Sequence, residues 1–388
     1  MVFKNIFMKL KVLIDATTVR QKKDGLSQYI IGLINNLPET SFEIFEYIIL
    51  INPGVDREEL SVALDSGKFT VFKKKINPIG PKRDWDMFWF LLKNKRRFNL
   101  FHSTSNQYPL FLNKGIATVH DIIFSQYLDA PWWTFNFAKR YLNIVVRNSL
   151  YKSAAVISVS EATKKEVASH YKIGDEIKNK IQVIYEGWEH LLSDSKDADT
   201  PQLPVGFTNY LFYVGGSRVH KNLSGLIKGF IISRDKIPQK TKLVISGDIQ
   251  YLNTEDQKMV DELNKEGEKI IFTGLVSNDI LKEIFKNADA FIFPSLHEGF
   301  GIPVLESFYF KKPLLCSNTT SLPEIAGDAA LYFDPAIPQD IAKTIIFFYQ
   351  NPLIWQSMVE KGQQRLKFFS WKKTGVETAE MYKKILLK

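Results

Sequence analysis

A single cysteine, Cys316, stands in the 388 residues, inside the apolar run Pro313-Leu-Leu-Cys. One thiol excludes an intrachain disulfide and a thiolate metal cluster, and a reducing compartment is the expectation. Long hydrophobic runs are also missing. No stretch reaches the roughly 18 consecutive apolar residues that a membrane-spanning helix needs. The opening segment, Met1 to Leu13, is broken by Lys4, Lys9 and Lys11, so it lacks the uninterrupted apolar region of a signal peptide. A cytoplasmic protein is expected, with a peripheral place on the inner face of the cytoplasmic membrane left open. Low-complexity tracts, short-period repeats and histidine clusters at metal-ligand spacing are absent as well. Two Asp-x-Asp triplets occur, Asp84-Trp-Asp86 and Asp197-Ala-Asp199; the first falls in a helical stretch and the second in a linker, so neither is read as a metal site.

What is present fits a globular enzyme. The chain is 45% hydrophobic and 24% charged, with 29 Phe, 15 Tyr and 7 Trp, and its length points to two domains. The net charge of +9 is unevenly placed, because residues 1–190 carry 27 Lys and Arg against 19 Asp and Glu. An anionic partner for the first half follows as an expectation. Nucleic acid is not among the expected partners.

Short β-branched runs alternate with helical patterns throughout, the signature of parallel sheets covered on both faces. In the first half, strands are predicted at 11–15, 44–51, 69–74, 100–102, 117–120, 155–159 and 181–185, with helices at 25–37, 84–95 and 131–151 and a capped helix start at Ser160. Residues 191–208 are polar, carry two prolines and read as a linker. Strands then follow at 210–214, 242–246, 270–272, 290–293 and 313–316, with helices at 222–233, 254–266, 279–286, 301–310 and 338–350. Two doubly wound domains result, 1–190 and 209–370, with a last helix over 371–388. Ligands of such sheets bind beyond the carboxyl ends of the strands.

The most informative stretch is Phe293-Pro-Ser-Leu-His-Glu298-Gly-Phe-Gly-Ile-Pro-Val-Leu-Glu306. It leaves a strand, turns through glycines and enters a helix whose first N–H groups favour a phosphate. An eight-residue helical step spans about 12 Å, beyond the roughly 5 to 9.5 Å between the carboxyls of a glycoside hydrolase. The spacing therefore suits two ends of one extended ligand. A second loop, Tyr213-Val-Gly-Gly-Ser-Arg218-Val-His-Lys221-Asn222, sets two cations at the carboxyl edge of a sheet, which suits a diphosphate. In the first half, Ala117-Thr-Val-His120-Asp121 and Phe101-His102-Ser103 end strands facing the crevice, and Gly25-Leu-Ser-Gln-Tyr29 opens a helix.

Glu298 and Glu306 resemble the E-x7-E motif of the retaining GT4 family of glycosyltransferases. The resemblance implies the GT-B fold, α/β, with two Rossmann-like domains facing a central cleft: the first for the acceptor, the second for a nucleotide-diphosphate sugar. It implies that Glu298 faces the donor sugar hydroxyls, that Gly215, Gly216, Gly299, Phe300, Gly301 and Ile302 line the donor, and that Glu306 accepts from the ribose. Arg218 and Lys221 resemble the cation pair that neutralises the leaving diphosphate. His120 is expected close to the transferred sugar. Gly25, His102 and Asp121 are candidates for the acceptor side, Asp121 by orienting His120 or facing the acceptor. Asn318-Thr-Thr-Ser-Leu-Pro-Glu324-Ile-Ala-Gly-Asp328 runs on as the family's late segment and shapes the donor pocket.

The resemblance further implies retention of configuration without a metal cofactor. Relatives with a similar pattern build bacterial surface polysaccharides such as O-antigen from GDP-mannose or dTDP-rhamnose, so a saccharide or lipid-linked acceptor is expected. The run from Lys82 to Arg97 mixes cations with Trp85, Phe88, Trp89 and Phe90, and Pro131-Trp-Trp is similarly aromatic; both suit an anionic bilayer surface. Two rival readings stand beside this one: a nucleotide-sugar epimerase of the same fold, and a two-domain sugar-binding protein without chemistry.

Overall fold

The computed structural model describes residues 9–21, 24–55, 60, 64–78, 80–113, 115–127, 132–189, 209–248 and 252–387. The linker read at 191–208, with Asp197 and Asp199, lies outside them, as do the side chains of Trp132 and Trp133. The chain divides into two compact units, Met1–His190 with Ser370–Lys388, and Leu191–Phe369.

The first unit holds β1 (Leu10–Asp15), β2 (Phe45–Ile51), β3 (Phe69–Lys73), β4 (Leu100–Ser103), β5 (Ile116–Val119), β6 (Ala155–Ser158) and β7 (Ile181–Val183), in the order β3-β2-β1-β4-β5-β6-β7. Its strands pair in parallel, with Ile14 opposite Ile49 on one side and His102 on the other. Because side chains alternate across a strand, Val12, Ile14, Tyr47 and Ile49 pack into one core with Tyr29, Ile30 and Leu33 of helix Gly25–Asn35, while Leu13, Ile48 and Leu50 pack into another with Met87, Phe90 and Leu91 of helix Pro81–Asn94. That helix begins three residues before the expected start, since Gly80 takes φ +93° and Pro81 opens the first turn. Ser160 caps helix Glu161–His170 by accepting from the Thr163 N–H at 3.0 Å.

The last helix, Trp371–Leu386, belongs to this unit. Trp371, Met381 and Tyr382 lie in the core beside Tyr29 and Tyr47. The Trp371 N–H donates to Glu189 Oε2 at 2.8 Å, and the Thr374 hydroxyl donates to the Tyr185 carbonyl at 2.6 Å.

The second unit holds β8 (Tyr210–Val214), β9 (Lys242–Ser246), β10 (Ile270–Gly274), β11 (Ala290–Phe293), β12 (Leu314–Ser317) and β13 (Ala330–Phe333), in the order β10-β9-β8-β11-β12-β13. Its strand order is that of a doubly wound dinucleotide-binding sheet. Strand β13, helix Leu322–Ala326 and helix Ile354–Leu366 were not expected from the sequence. In each unit the strand order reverses beside the first strand, between β1 and β4 and between β8 and β11. Loops leaving those strands lie where open sheets of this kind generally take their ligands.

Candidate active site

In the second unit, both motifs leave the two strands that flank the reversal. Gly215 follows β8, and a Cβ there would collide with the Tyr213 hydroxyl, which itself donates to the Gly216 carbonyl at 3.1 Å. A tight turn at Val219–Lys221 then ends in Asn222, held in the left-handed region at φ 55°. Its side-chain amide donates to the carbonyls of Pro294 at 3.1 Å and Pro335 at 2.7 Å. The Leu296 N–H donates to the His220 carbonyl at 2.8 Å. The two loops are therefore joined by the Asn222 amide and one backbone hydrogen bond, and their side chains meet.

Lys221 Nζ lies 2.6 Å from Glu298 Oε1 and 5.4 Å from the centre of the Phe293 ring. The side chains are 23% and 11% exposed. Burial works to raise the Glu298 carboxyl, but the charge and hydrogen bond of Lys221, with smaller help from Ser295 and His220, together outweigh it and hold the group below its ordinary value. An ammonium has three N–H donors, so the pair leaves Lys221 able to meet further oxygens. Arg218 is exposed on the same loop.

The backbone that carries Glu298 is fixed from the β12 side. The Glu298 N–H donates to Thr320 Oγ1 at 3.1 Å, and the Ser321 hydroxyl donates to the carbonyls of Glu298 and Phe300 at 3.0 and 2.8 Å. Gly301, at φ +108°, turns the chain into helix Ile302–Tyr309, where its first N–H groups point out of the helix start. Phe300 and Ile302 are buried, and Glu306 follows, half-buried, on the second turn.

In the first unit, β1 ends in Asp15, whose carboxylate pairs with the Arg83 guanidinium, each 1% exposed. Arg83 also donates to Thr17 Oγ1 at 2.7 Å. His120 is the first residue past β5. Its Nδ1 faces Glu186 Oε1 at 3.4 Å and its Nε2 faces the Thr104 carbonyl at 3.0 Å. The Tyr29 ring meets it edge-on at 4.7 Å. Burial works to lower its pKa; Glu186, the Thr104 carbonyl and Asp121 outweigh burial and raise it.

The three residues expected on the acceptor side lie in different surroundings. His102 is wholly enclosed and does not face a crevice, because Tyr382 of the last helix reaches its Nδ1 at 2.7 Å and Thr118 its Nε2 at 2.8 Å. The carboxylate on the His120 ring is that of Glu186, whereas Asp121 Oδ1 accepts from the Ile123 N–H at 3.1 Å and so caps a turn. Gly25 is exposed with open space around a notional Cβ, and the helix entry is set by Asp24, which accepts from the Ser27 N–H at 2.8 Å. Asp84, half of the first Asp-x-Asp triplet, is buried and accepts from the Tyr141 hydroxyl at 2.5 Å.

Residues 24–189 match the family model described as Glycosyltransferase Family 4, and residues 194–365 match that described as Glycosyl transferases group 1. The chain is a GT4-family glycosyltransferase. Over 396 aligned residues it is 24% identical to O-antigen chain mannosyltransferase B of Escherichia coli, covering 96% of this chain and 100% of that one. Over 251 residues it is 30% identical to O-antigen chain mannosyltransferase RfbU of Salmonella typhimurium, covering 64% and 65%. Anabaena HepE, solved with UDP and glucose, superposes with a TM-score of 0.68 at 15% identity, over 97% of this chain and all of that one. At that identity the likeness concerns the GT-B fold.

Within the glycosyltransferase, Lys221 and Glu298 come together, with Gly215, Gly216 and Gly299 to Ile302 on the same two loops and Glu306 one helix turn beyond. Sequence reasoning missed Glu186 and the Asp15–Arg83 pair. Their one signal was position, since Glu186 lies just past the carboxyl end of β7 and Asp15 ends β1.

Proposed function

We propose that this glycosyltransferase moves a mannosyl residue from a nucleotide-diphosphate donor, GDP-mannose foremost, to a saccharide or lipid-linked acceptor in surface-polysaccharide synthesis of the O-antigen kind, with retention of configuration. The end-to-end match to O-antigen chain mannosyltransferase B carries the reading. In it, the second unit holds the donor: Glu298 takes the sugar hydroxyls, Glu306 the ribose, and Lys221, Arg218 and the helix start at Gly301 the diphosphate. Charge on that diphosphate grows as the bond to the sugar breaks, and preorganised donors aimed at growing charge are the strongest catalytic device available. The first unit supplies His120 and the acceptor surface.

These cations and N–H groups supply the neutralising charge themselves, so turnover needs no divalent metal and continues in chelator. Purified protein incubated with a lipid-linked oligosaccharide and, in parallel, GDP-mannose, dTDP-rhamnose and UDP-glucose tests the assignment. Mannosyl transfer with retention supports it. Transfer only from another donor, or donor turnover without acceptor, rejects it in favour of another specificity or of an epimerase.

Peripheral attachment to an anionic membrane is part of this proposal. Helix Pro81–Asn94 turns Met87, Phe90 and Leu91 inward and leaves Trp85 and Trp89 61% and 44% exposed. Phe88 packs on Phe111, itself 65% exposed, at 4.9 Å. Exposed Lys82, Lys93, Lys95, Arg96 and Arg97 surround these rings. Aromatic rings ringed by cations suit a bilayer interface with acidic headgroups. Co-sedimentation with anionic but not neutral vesicles is expected, and no pelleting at low salt would exclude it.

A further inference from the structure

Two histidines of the first unit meet different kinds of partner. His102 faces the hydroxyls of Tyr382 at 2.7 Å and Thr118 at 2.8 Å. A hydroxyl can donate or accept, so a neutral ring with one N–H satisfies both contacts. Burial, and secondarily the charge of His120, pushes the His102 pKa down to about 3. His120 faces a backbone carbonyl at 3.0 Å on Nε2 and a carboxylate oxygen at 3.4 Å on Nδ1. Both of these only accept. A neutral imidazole with its N–H on Nε2 would turn a lone pair on the carboxylate, whereas an imidazolium donates to the Thr104 carbonyl and sets its positive charge against Glu186.

The ring is held in that orientation. Tyr29 packs against it at 4.7 Å, and the Tyr29 hydroxyl is tied to Thr118 Oγ1 at 3.1 Å. Thr118 is the residue that also binds His102. Glu186, 4% exposed, stands on the segment after β7, whose backbone is paired to β6 through Ser158 and Val183. Asp121 adds a second negative charge from the loop of His120 itself.

We infer that Glu186 is a positioning residue that keeps His120 as an imidazolium, so that His120 serves the transfer site as a donor within a charge-neutral pair and never as the base that takes the acceptor's proton. The inference rests on the reading of His120 as a transfer-site residue. Because the pair is neutral overall, it adds no net positive charge beside an electron-poor sugar. It presents a directed dipole, oriented by Glu186.

Nitrogen NMR of the whole chain labelled at histidine reads the ring directly. Wild type is expected to show both His120 nitrogens protonated at neutral pH, with a midpoint above the ordinary value of about 6.5. Glu186→Gln keeps the shape, removes the charge, and is expected to lower that midpoint by about one pH unit or more. In the transferase assay its kcat falls most on the alkaline side and recovers as the pH is lowered, and Glu186→Asp restores part of the alkaline activity. A neutral His120 in wild type at neutral pH, or a midpoint unmoved by Glu186→Gln, overturns the inference. So does an activity loss equal at every pH, the mark of a merely structural carboxylate. His120→Asn separates the two readings: full activity in that variant removes His120 from the transfer site while the NMR shift still reports on Glu186.

Discussion

Lys221 and Glu298 stand 77 positions apart in the chain and 2.6 Å apart in space, across the point where the second sheet reverses its strand order. Such a pair fixes the ammonium, to which the proposed function gives the diphosphate, and keeps the carboxylate charged. Lys221→Ala removes the cation and strands Glu298 at once. A loss of about 100- to 1,000-fold in kcat is expected, the usual cost of one preorganised donor, with an unchanged circular dichroism spectrum. Groups that act as a unit are not additive, so Lys221→Ala combined with Glu298→Gln should be little worse than Lys221→Ala alone. Losses that multiply would show the two residues working independently.

The same pair sets a pH dependence of stability. Glu298 titrates lower in the folded unit than its unfolded value of about 4.3. The folded state therefore binds fewer protons than the unfolded one in that range, and stability falls as pH falls. The contribution is complete above the unfolded value and is lost as the pH drops through the lowered one. Lys221→Met abolishes the depression. Urea midpoints of wild type and Lys221→Met should thus differ at neutral pH, and the gap should narrow as the pH falls below the ordinary carboxylate range. A difference that stays constant across that range would place the stabilisation elsewhere.

Much of this molecule is legible in its sequence, for identifiable reasons. Parallel strands buried on both faces read as short apolar runs, and the predicted strand at 210–214 coincides with β8. Glu298 announces itself because glycines and a helix start surround it. β13 does not, since Ala-Leu-Tyr-Phe is brief and only Phe333 is fully buried. Strand-end position names the edge on which His102 lies but not what covers it, and the covering Tyr382 arrives 280 residues later. Glu186 reaches His120 only through the register of β5, β6 and β7, which no local pattern encodes.

Arg83 and Asp15 are both 1% exposed. A buried pair often contributes little over apolar replacements, yet breaking it leaves one charge stranded and costs about 3–5 kcal/mol. Arg83→Met is expected to destabilise the first unit by that amount in urea unfolding. Arg83→Met with Asp15→Asn, which neutralises the stranded group, should recover a large part of it. Equal loss in the single and double variants would mean that the Arg83 contact to Thr17, and not the charge pair, matters.

Gly375 offers a test in which local propensity and packing have opposite signs. In an exposed helix interior, Gly→Ala stabilises by about 1 kcal/mol. Here a Cβ on Gly375 would run into the Asn36 carbonyl, just past helix Gly25–Asn35, and a Cβ on Gly32 would run into the Trp371 ring. The two helices approach through their glycines. Gly375→Ala must therefore push the last helix outward, at a cost of about 1–3 kcal/mol for overpacking, and its Tm should fall. The push also draws on the site's support, because Tyr382 on that helix binds His102, and Thr118 links His102 to Tyr29 against His120. Transfer activity at a temperature where the variant is still folded should drop as well. A Tm that rises with helix propensity would mean that the last helix does not seat on the first unit in this way.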